Sequence, residues 1–270
     1  MKTILVTGAT DGIGFETAKK LVTDGHHVLI HGRNPQKLDK VKAALKALSP
    51  DAIVEGYIAD LSSLADVEAL AATVKQRHQH LDVLINNAGV YKVPTVTTTD
   101  KLDVRFVVNT IAPYLLTKRL LSLFDNSGRI VNLSSRAQAA VNLDALVSSN
   151  ANASDDQIYA QTKLAITMWS AHLANQLKDK GPLVVAVNPA SFLGSKLVKE
   201  AYGVEGNDLS IGADILHQAA LSDKFAEATG QYFDNDSGHF TAPHPDAMNK
   251  SKNQKLVAVI ESLLEKKQVS

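Results

Sequence analysis

The sequence predicts a single doubly wound α/β domain, in which helices cover both faces of a parallel sheet. Short apolar segments rich in β-branched residues alternate with helical segments along the chain, which is the pattern of repeated βαβ units. The runs Ile4-Leu5-Val6 and Val83-Leu84-Ile85 are apolar at every position, as expected of strands buried on both faces. No repeat, charged tail or Pro/Ser-rich linker divides residues 1–270, so one domain is expected.

Six segments are predicted to be strands, with helices between them. The strand segments are residues 3–7, 27–31, 52–58, 83–86, 129–133 and 183–188. The first two helices are predicted at residues 15–23 and 36–48. In the second helix, Leu38, Val41, Leu45 and Leu48 recur at the spacing of one buried helix face.

Residues 137–157 interrupt this alternation. They are rich in Ala, Asn, Ser and Asp and show no clear period, so a long loop is expected there. A loop of this length inside a compact domain is more often functional than idle, although surface loops also tolerate insertions. The segment is therefore expected either to wall a substrate site or to be a surface insertion.

The composition excludes several classes of function. The 28 basic and 28 acidic residues balance, so no global field would attract nucleic acid or an anionic membrane. The absence of cysteine excludes disulfides, a thiolate nucleophile and a cysteine zinc site. The first apolar run is too short for a signal-peptide core, and no segment approaches the length of a membrane span. A cytoplasmic enzyme is the expectation.

The nine histidines raise the question of a metal site. The pairs His78 with His80 and His239 with His244 are the candidates. On a helix, residues two apart point in different directions, and no carboxylate is spaced to complete either pair. The sequence therefore predicts solvated histidines and no metal.

A glycine-rich turn follows the first predicted strand and precedes the first helix. Its sequence is Thr7-Gly8-Ala9-Thr10-Asp11-Gly12-Ile13-Gly14. Glycines at such a junction reverse the chain, let the backbone approach a pyrophosphate and pack helix against strand. The free N–H groups at the start of the helix then face the phosphates. The turn predicts a bound dinucleotide.

The glycine spacing resembles the T-G-x-x-x-G-x-G pattern of the short-chain dehydrogenase/reductase family, whose fold is of the Rossmann type. Further motifs of that family follow in order along the chain: Asp60-Leu61, Asn86-Asn87-Ala88-Gly89, Asn109, Ser135, Tyr159, Lys163 and Asn188-Pro189. Within the family, the segments 32–34 and 230–233 look most like those of soluble bacterial relatives of retinol dehydrogenases.

The resemblance implies both a cofactor site and a catalytic tetrad. The cofactor would contact Gly8, Thr10, Asp11, Gly12, Ile13, Gly14, Arg33, Asn34, Asp60, Leu61, Asn87, Ala88, Gly89, Tyr159, Lys163, Pro189, Leu193 and Ser195. The tetrad would be Asn109, Ser135, Tyr159 and Lys163. Ser134 competes with Ser135, and the second serine is preferred because the family usually carries its catalytic serine there.

The end of the second strand indicates which nicotinamide cofactor is used. NAD-specific sites carry an acid there, about 20 residues past the glycines, to hold the ribose 2′-hydroxyl. This chain has no acid between Ile30 and Asn34, whereas Arg33 offers a fork of donors to a 2′-phosphate. Asp11 opposes this interpretation, because a carboxylate facing the phosphate would repel it. NADP(H) is favoured, with NAD(H) as the alternative.

Tyr159 and Lys163 are four residues apart and would share one face of a helix. A tyrosine ordinarily titrates near about pH 10, and a neighbouring ammonium group favours the phenolate. Tyr159 could then exchange a proton with a carbonyl or alcohol oxygen. Ser135 would hydrogen-bond that oxygen, and Asn109 resembles the asparagine that holds a water in the proton path.

Two departures from the family pattern are recorded. Ser135 and Tyr159 lie 24 positions apart, about twice the usual separation, and the extra residues are those of the 137–157 segment. Ala190 stands where the family usually has glycine after Pro189. A methyl group there would crowd the nicotinamide side of the site.

The sequence thus predicts an NADP(H)-dependent oxidoreductase, for example a carbonyl reductase, that interconverts a small-molecule alcohol and a carbonyl compound. Substrate contacts are expected from residues 137–157 and 190–225. The alternative is a non-catalytic dinucleotide-sensing module, which keeps the glycine turn but needs no tetrad. The substrate is not predicted, and a homo-oligomer stays open.

Overall fold

The strands lie in one sheet, and helices separate most of them along the chain. A computed structural model describes residues 1–149, 153–195, 198–199 and 203–268. Within them the strands are β1 (Thr3–Val6), β2 (His27–Gly32), β3 (Val54–Ile58), β4 (Val83–Asn86), β5 (Arg129–Leu133), β6 (Leu183–Asn188), β7 (Tyr232–Asp234) and β8 (His239–Thr241). The sheet order is β3-β2-β1-β4-β5-β6-β7-β8.

The helices pack on the two faces of this sheet. They are α1 (Gly12–Thr23), α2 (Pro35–Lys46), α3 (Leu64–Arg77), α4 (Val104–Phe106), α5 (Ala112–Leu120), α6 (Leu143–Val147), α7 (Asp155–Leu177), α8 (Leu209–Leu221) and α9 (Lys250–Gln268). A π-helical turn, Val107–Ile111, joins α4 to α5. Short 3₁₀ turns lie at Leu121–Leu123, Lys178–Lys180, Asp223–Phe225 and Pro245–Met248.

Successive side chains of each central strand point alternately into two separate hydrophobic cores, one on each face of the sheet. Leu5 and Leu84 pack with α3, α5 and α7, whereas Ile4 and Val83 pack with α1, α2 and α8. All four side chains have no exposed surface. Burial on both faces explains the continuous apolar runs, and the doubly wound α/β prediction is confirmed.

The six predicted strands are all present, and their ends differ from the prediction by two residues at most. The predicted parallel sheet is confirmed for β1 to β7, and an additional edge strand, β8, runs antiparallel to β7. Only four residues separate these strands, too few for the crossover that a parallel pair requires. Each strand has three residues, too short to show a period.

The segment 137–157 is not one continuous loop. Asn142 caps α6 by accepting hydrogen bonds from the amides of Asp144 and Ala145, and α7 already begins at Asp155. A helix of five residues is too short to show helical periodicity in the sequence. Residues 150–152 of this segment lie outside the described residues.

The strand order reverses between β1 and β4, which are neighbours in the sheet. In doubly wound folds such a switch point opens a crevice beyond the carboxyl ends of the strands, where ligands bind. The segments after β1 to β6 carry most of the residues singled out by the sequence motifs, whereas Asn109, Tyr159 and Lys163 lie on helical segments. Across the described part of the chain, no helix is both long and apolar enough to cross a bilayer.

Candidate active site

A cavity of about 1300 Å³ lies at the carboxyl ends of the central strands. Nearly all the residues that the sequence motifs indicate line it: Gly8, Thr10, Asp11, Gly12, Ile13, Arg33, Asn34, Asp60, Leu61, Asn87, Ala88, Gly89, Ser135, Tyr159, Lys163, Pro189, Leu193 and Ser195. Gly14 and Asn109 are not among the lining residues and lie behind them. The fold therefore brings together motifs that are spread over nearly 190 positions.

The glycine turn packs too closely against neighbouring residues to accept side chains at two of its glycines. Gly8 has a φ of +64°, and a Cβ there would lie 2.8 Å from the Cα of Ala88. A Cβ on Gly14 would lie 2.4 Å from the carbonyl oxygen of Gly8. Helix α1 begins at Gly12, so its amino end, with a partial positive charge, faces the cavity. The turn thus fits the pyrophosphate of a dinucleotide.

His31 holds this turn in place, and the sequence analysis did not find it. The side chain is 3% exposed. Its Nδ1 accepts a hydrogen bond from the amide of Gly8 at 3.2 Å, and its Nε2 donates to the carbonyl of Ala59 at 3.0 Å. The bond accepted at Nδ1 requires the neutral ring, and burial keeps the pKa of His31 below its usual 6.5.

Acidification is therefore expected to weaken the fold through His31. Below pH 6.5 the unfolded chain takes up a proton that the folded ring resists, so stability falls as pH falls. The slope for one proton is at most about 1.4 kcal/mol per pH unit. In His31→Gln, an amide can accept from Gly8 and donate to Ala59 without titrating, so this contribution should disappear.

Urea denaturation of both proteins between pH 5.5 and 8 measures the effect. His26, His78 and His172 also have pKa values lowered by burial. They titrate in both proteins, so they cancel in the difference between the two curves. Parallel stability curves for the wild type and His31→Gln would show that His31 carries no such linkage.

Asn87 also braces the glycine turn. Its Nδ2 donates to the carbonyl oxygens of Thr7 at 2.8 Å and Gly8 at 3.1 Å, while its backbone amide donates to Thr7 Oγ1 at 3.1 Å. The side-chain NH₂ of Asn87, a residue predicted to contact the cofactor, thus binds the turn. Asn87 shapes the cavity from the β4 side.

Lys163 and Tyr159 project from the first turns of α7 toward the same cavity. Lys163 is 4% exposed, and its Nζ donates to the carbonyl of Leu133 at 2.8 Å. The ammonium group lies 5.6 Å from the centroid of the Tyr159 ring. Burial lowers the pKa of Lys163 from 10.5 to about 8, so the group still carries a positive charge at neutral pH. That charge favours the phenolate form of the neighbouring tyrosine.

The two serines after β5 have different surroundings. Ser134 is buried, and its hydroxyl bonds to the Lys163 carbonyl at 3.0 Å and to Thr167 Oγ1 at 2.7 Å. Among the described residues, the Ser135 hydroxyl bonds to the Ala137 amide alone, as acceptor, and Tyr232 of β7 donates to the Ser135 carbonyl at 3.0 Å. The hydroxyl of Ser134 is thus committed to α7, whereas that of Ser135 is available at the cavity.

Asn109 lies in the π-helical turn between α4 and α5, a local geometry that is frequent at functional sites. Its side chain is 1% exposed. Its Oδ1 accepts from the Val90 amide at 2.8 Å, while its Nδ2 donates to the Val90 carbonyl at 2.8 Å and to Thr162 at 3.1 Å. Asn109 therefore fixes Val90, where a cavity-lining segment begins.

That segment, residues 90–99, contributes a wall that the sequence analysis did not predict. Its lining residues are Val90, Tyr91, Lys92, Val93, Pro94, Thr95, Thr97, Thr98 and Thr99. Of the described residues in 137–157, none lines the cavity, because the backbone there pairs with α7 through Ala139 and Asn142. From 190–225, the lining residues are Ala190, Leu193, Ser195 and Val198.

Two acidic residues at the start of α7 bind Arg105 of α4 and Tyr91 of the cavity wall. Asp155 pairs with Arg105, which is 2% exposed and also bonds to Asp103. Asp156 accepts a hydrogen bond from the Tyr91 hydroxyl. The Tyr91 ring meets the Tyr159 ring edge to face, with centroids 5.3 Å apart. These contacts set the position of Tyr159 and were not found from the sequence.

Ala190 occupies a backbone conformation that favours glycine, with a φ of +121°. The surrounding loop is held firmly enough to maintain it. Asp236, in the turn between β7 and β8, accepts bonds from Asn188 Nδ2 at 3.0 Å and from the Ser191 amide at 2.8 Å. The family glycine at this position is thus replaced at the cost of local strain.

The far end of the cavity, next to α2, is rich in cations. Arg33 and Lys40 line it and are exposed. The Lys37 ammonium lies 2.6 Å from the Asp11 carboxylate. The negative charge of Asp11, which the sequence analysis set against a bound phosphate, is therefore balanced locally.

Comparison with known proteins agrees with this architecture. A family model described as short chain dehydrogenase matches residues 2–203 of the chain. The chain belongs to the short-chain dehydrogenase family. It is accordingly an NAD(P)-dependent oxidoreductase.

Relatives of this short-chain dehydrogenase include human retinol dehydrogenase 13, which is 30% identical over 95% of this chain and 82% of its own length. A crystal structure of an uncharacterised protein from Mycobacterium paratuberculosis covers 98% of this chain and 94% of its own, with 25% identity and a TM-score of 0.81. The landomycin C-6 ketoreductase LanV, solved with NADP and rabelomycin, covers 87% and 94%, with 28% identity and a TM-score of 0.67.

Proposed function

We propose that this short-chain dehydrogenase interconverts a carbonyl compound and an alcohol with NADP(H), using Tyr159 as the general acid and base. The observation that carries the proposal is the convergence of Tyr159, Ser135 and Lys163 on the cavity that holds the glycine turn. A module that only senses a dinucleotide has no need of these three groups beside the cofactor site.

The residues of the chain supply positioning and proton transfer. When bound, the nicotinamide supplies hydride to the carbonyl carbon or accepts it from the alcohol. The Ser135 hydroxyl hydrogen-bonds the substrate oxygen, and the Tyr159 hydroxyl delivers its proton to that oxygen as negative charge develops. The buried ammonium of Lys163 stabilises the resulting phenolate.

Preference for NADP(H) rests on the charges beside α2. Arg33 presents a planar fork that suits a phosphate, and Lys40 adds positive charge nearby. Lys37 balances Asp11 at 2.6 Å, which removes the repulsion that would otherwise oppose a 2′-phosphate. The NADP bound to the ketoreductase LanV supports the same choice.

The substrate is an apolar carbonyl compound or alcohol. The wall formed by residues 90–99 offers apolar surface at Val90, Tyr91, Val93 and Pro94, beside Lys92 and the hydroxyls of its threonines. Apolar surface next to a few polar groups favours a lipophilic ligand whose oxygen those groups orient. The name of the relative retinol dehydrogenase 13 is consistent with such a substrate.

A turnover assay tests this function. The purified chain is mixed with a panel of aldehydes and ketones of increasing apolar length, with NADPH or NADH, and loss of the reduced cofactor is followed. Turnover with NADPH that improves with apolar length is expected, together with the reverse reaction on the matching alcohols. Tight NADPH binding without turnover on any panel member would instead support the sensing module.

A further inference from the structure

Three side chains that can bind a metal meet at the amino end of the sheet, away from the cavity. His27 begins β2, Glu55 lies in β3, and His78 directly follows α3. The Nε2 of His27 lies 2.9 Å from Glu55 Oε1, and the Nε2 of His78 lies 3.6 Å from Glu55 Oε2. One ligand atom from each of the three residues lies within 4.8 Å of the others.

The strand register creates this cluster. Glu55 pairs with Leu29, so Glu55 and Tyr57 face the same side as His27 and Leu29, which is the side that α3 covers. Helix α3 ends at Arg77, and the next residue is His78, which reaches the carboxylate. The prediction that His78 is a solvated helical residue without a carboxylate is wrong, since its side chain is 10% exposed and outside the helix.

We infer that His27, Glu55 and His78 form a binding site for a divalent transition-metal ion of the zinc class. Imidazole nitrogens with one carboxylate are a common ligand set for Zn²⁺. Metal–ligand bonds of about 2.0–2.1 Å in a tetrahedral site place neighbouring ligand atoms about 3.3 Å apart. The separations of 2.9 Å to Oε1 and 3.6 Å to Oε2 lie on either side of that value. One ligand atom from each residue lies within 4.8 Å of the others, so rotation of the side chains would bring the three groups around one ion.

The local charges favour a cation overall. The carboxylate of Glu55 supplies a negative charge, and the carboxyl end of α3 adds the partial negative charge of the helix dipole. The opposing charge is Arg77, whose guanidinium lies 5.6 Å from the centroid of the Tyr57 ring. Glu55 remains 33% exposed and His27 15% exposed, which leaves a path for the ion and for water as a fourth ligand.

Tyr57 provides an outer partner for the site. Its hydroxyl lies 2.7 Å from His78 Nε2 and 3.0 Å from Glu55 Oε2. When His78 coordinates a metal through Nε2, the phenol can donate to the carboxylate alone. Hydrogen bonds of this kind orient ligating carboxylates.

The expected role of the ion is structural. It would join β2, the edge strand β3 and the end of α3. His27 stands five residues before the end of β2 at Gly32, which lines the cofactor cavity. At about 3.3 Å per residue, His27 and Gly32 are about 16 Å apart. The metal would thus raise stability without entering hydride transfer, and the inference does not depend on the proposed function.

Zinc titration of the untagged chain tests the site. After treatment with EDTA and dialysis, calorimetry with ZnCl₂ is expected to show one equivalent bound, and thermal melting should show a Tm that rises with Zn²⁺ concentration. His78→Ala should weaken Zn²⁺ binding by about 100-fold or more, because losing even an outer partner typically costs 10–100-fold. The rise in Tm should vanish in this variant.

His80→Ala is the matched control, since His80 is two residues away, has a side chain 45% exposed and lies beside Asp82 rather than Glu55. It should bind Zn²⁺ as the wild type does. If His78→Ala fails to fold, His27→Gln tests the same site from β2. Absence of Zn²⁺ binding by the wild type at micromolar concentrations would overturn the inference, as would equal affinities in His78→Ala or His27→Gln and His80→Ala.

Discussion

Tyr159→Phe is expected to lower kcat by about 10²–10⁴-fold, the usual contribution of general acid–base catalysis. The substitution removes only the hydroxyl, so the ring can still pack edge to face against Tyr91. Cofactor affinity should therefore change little. Steady-state kinetics with the best panel substrate, together with NADPH binding by fluorescence titration, measures the two effects separately.

Tyr114→Phe is a suitable control for this variant. It also removes one tyrosine hydroxyl, but that hydroxyl bonds to Glu261 of α9, and Tyr114 does not line the cavity. Its kcat should stay near the wild-type value. A Tyr159→Phe enzyme that retained more than about a tenth of the wild-type kcat would exclude Tyr159 as the proton donor.

Arg33→Ala is expected to weaken NADPH binding by roughly 10–150-fold and to leave NADH binding nearly unchanged. A hydrogen bond to a charged group contributes on the order of 1.5–3 kcal/mol, and about 1.4 kcal/mol corresponds to one decade in Kd. NADH lacks the 2′-phosphate and so loses nothing. The measurement is Kd for both cofactors at fixed ionic strength, because exposed charges are screened by salt.

Two further variants distinguish the effect of Asp11 from a general loss of positive charge on α2. Asp11→Ser should improve NADPH binding modestly, with only a small effect expected because Lys37 already pairs with that carboxylate at 2.6 Å. Lys46→Ala, in the last turn of α2 and outside the cavity lining, is the control for a general loss of positive charge. Its Kd values should match those of the wild type.

Two results would contradict the proposed cofactor preference, one from Arg33→Ala and one from the wild type. Equal losses for NADH and NADPH would mean that Arg33 packs against the adenine rather than binding the phosphate. A wild-type chain that prefers NADH would overturn the choice of NADP(H). Neither result would change the family to which the chain belongs, because that rests on residues 2–203 as a whole.

Local sequence patterns sufficed for most of the fold. The central strands β1 and β4 carry continuous apolar runs because they are buried on both faces, so such runs can be recognised without knowledge of their neighbours. The elements β7, β8 and α6 were missed because three to five residues carry no measurable period. Yet β7 contributes Tyr232, whose hydroxyl donates to the carbonyl of Ser135 at the cavity.

The sequence by itself determined the parts of the site whose geometry is local. The glycine turn depends on backbone conformations within eight residues, and Tyr159 and Lys163 share a helix face because they are four residues apart. Such relations follow from the geometry of one element. They hold wherever that element is placed in the fold.

Only the tertiary structure decided which distant residues meet. His31 supports Gly8 from 23 positions away, and Arg105 holds Asp155 across 50 positions. Glu55 joins His27 across 28 positions. These contacts depend on strand register, on where each helix ends and on which faces pack together. Hydrophobic periodicity does not predict these contacts, because it indicates only which side of a helix or strand is buried and not which residues pack against that side.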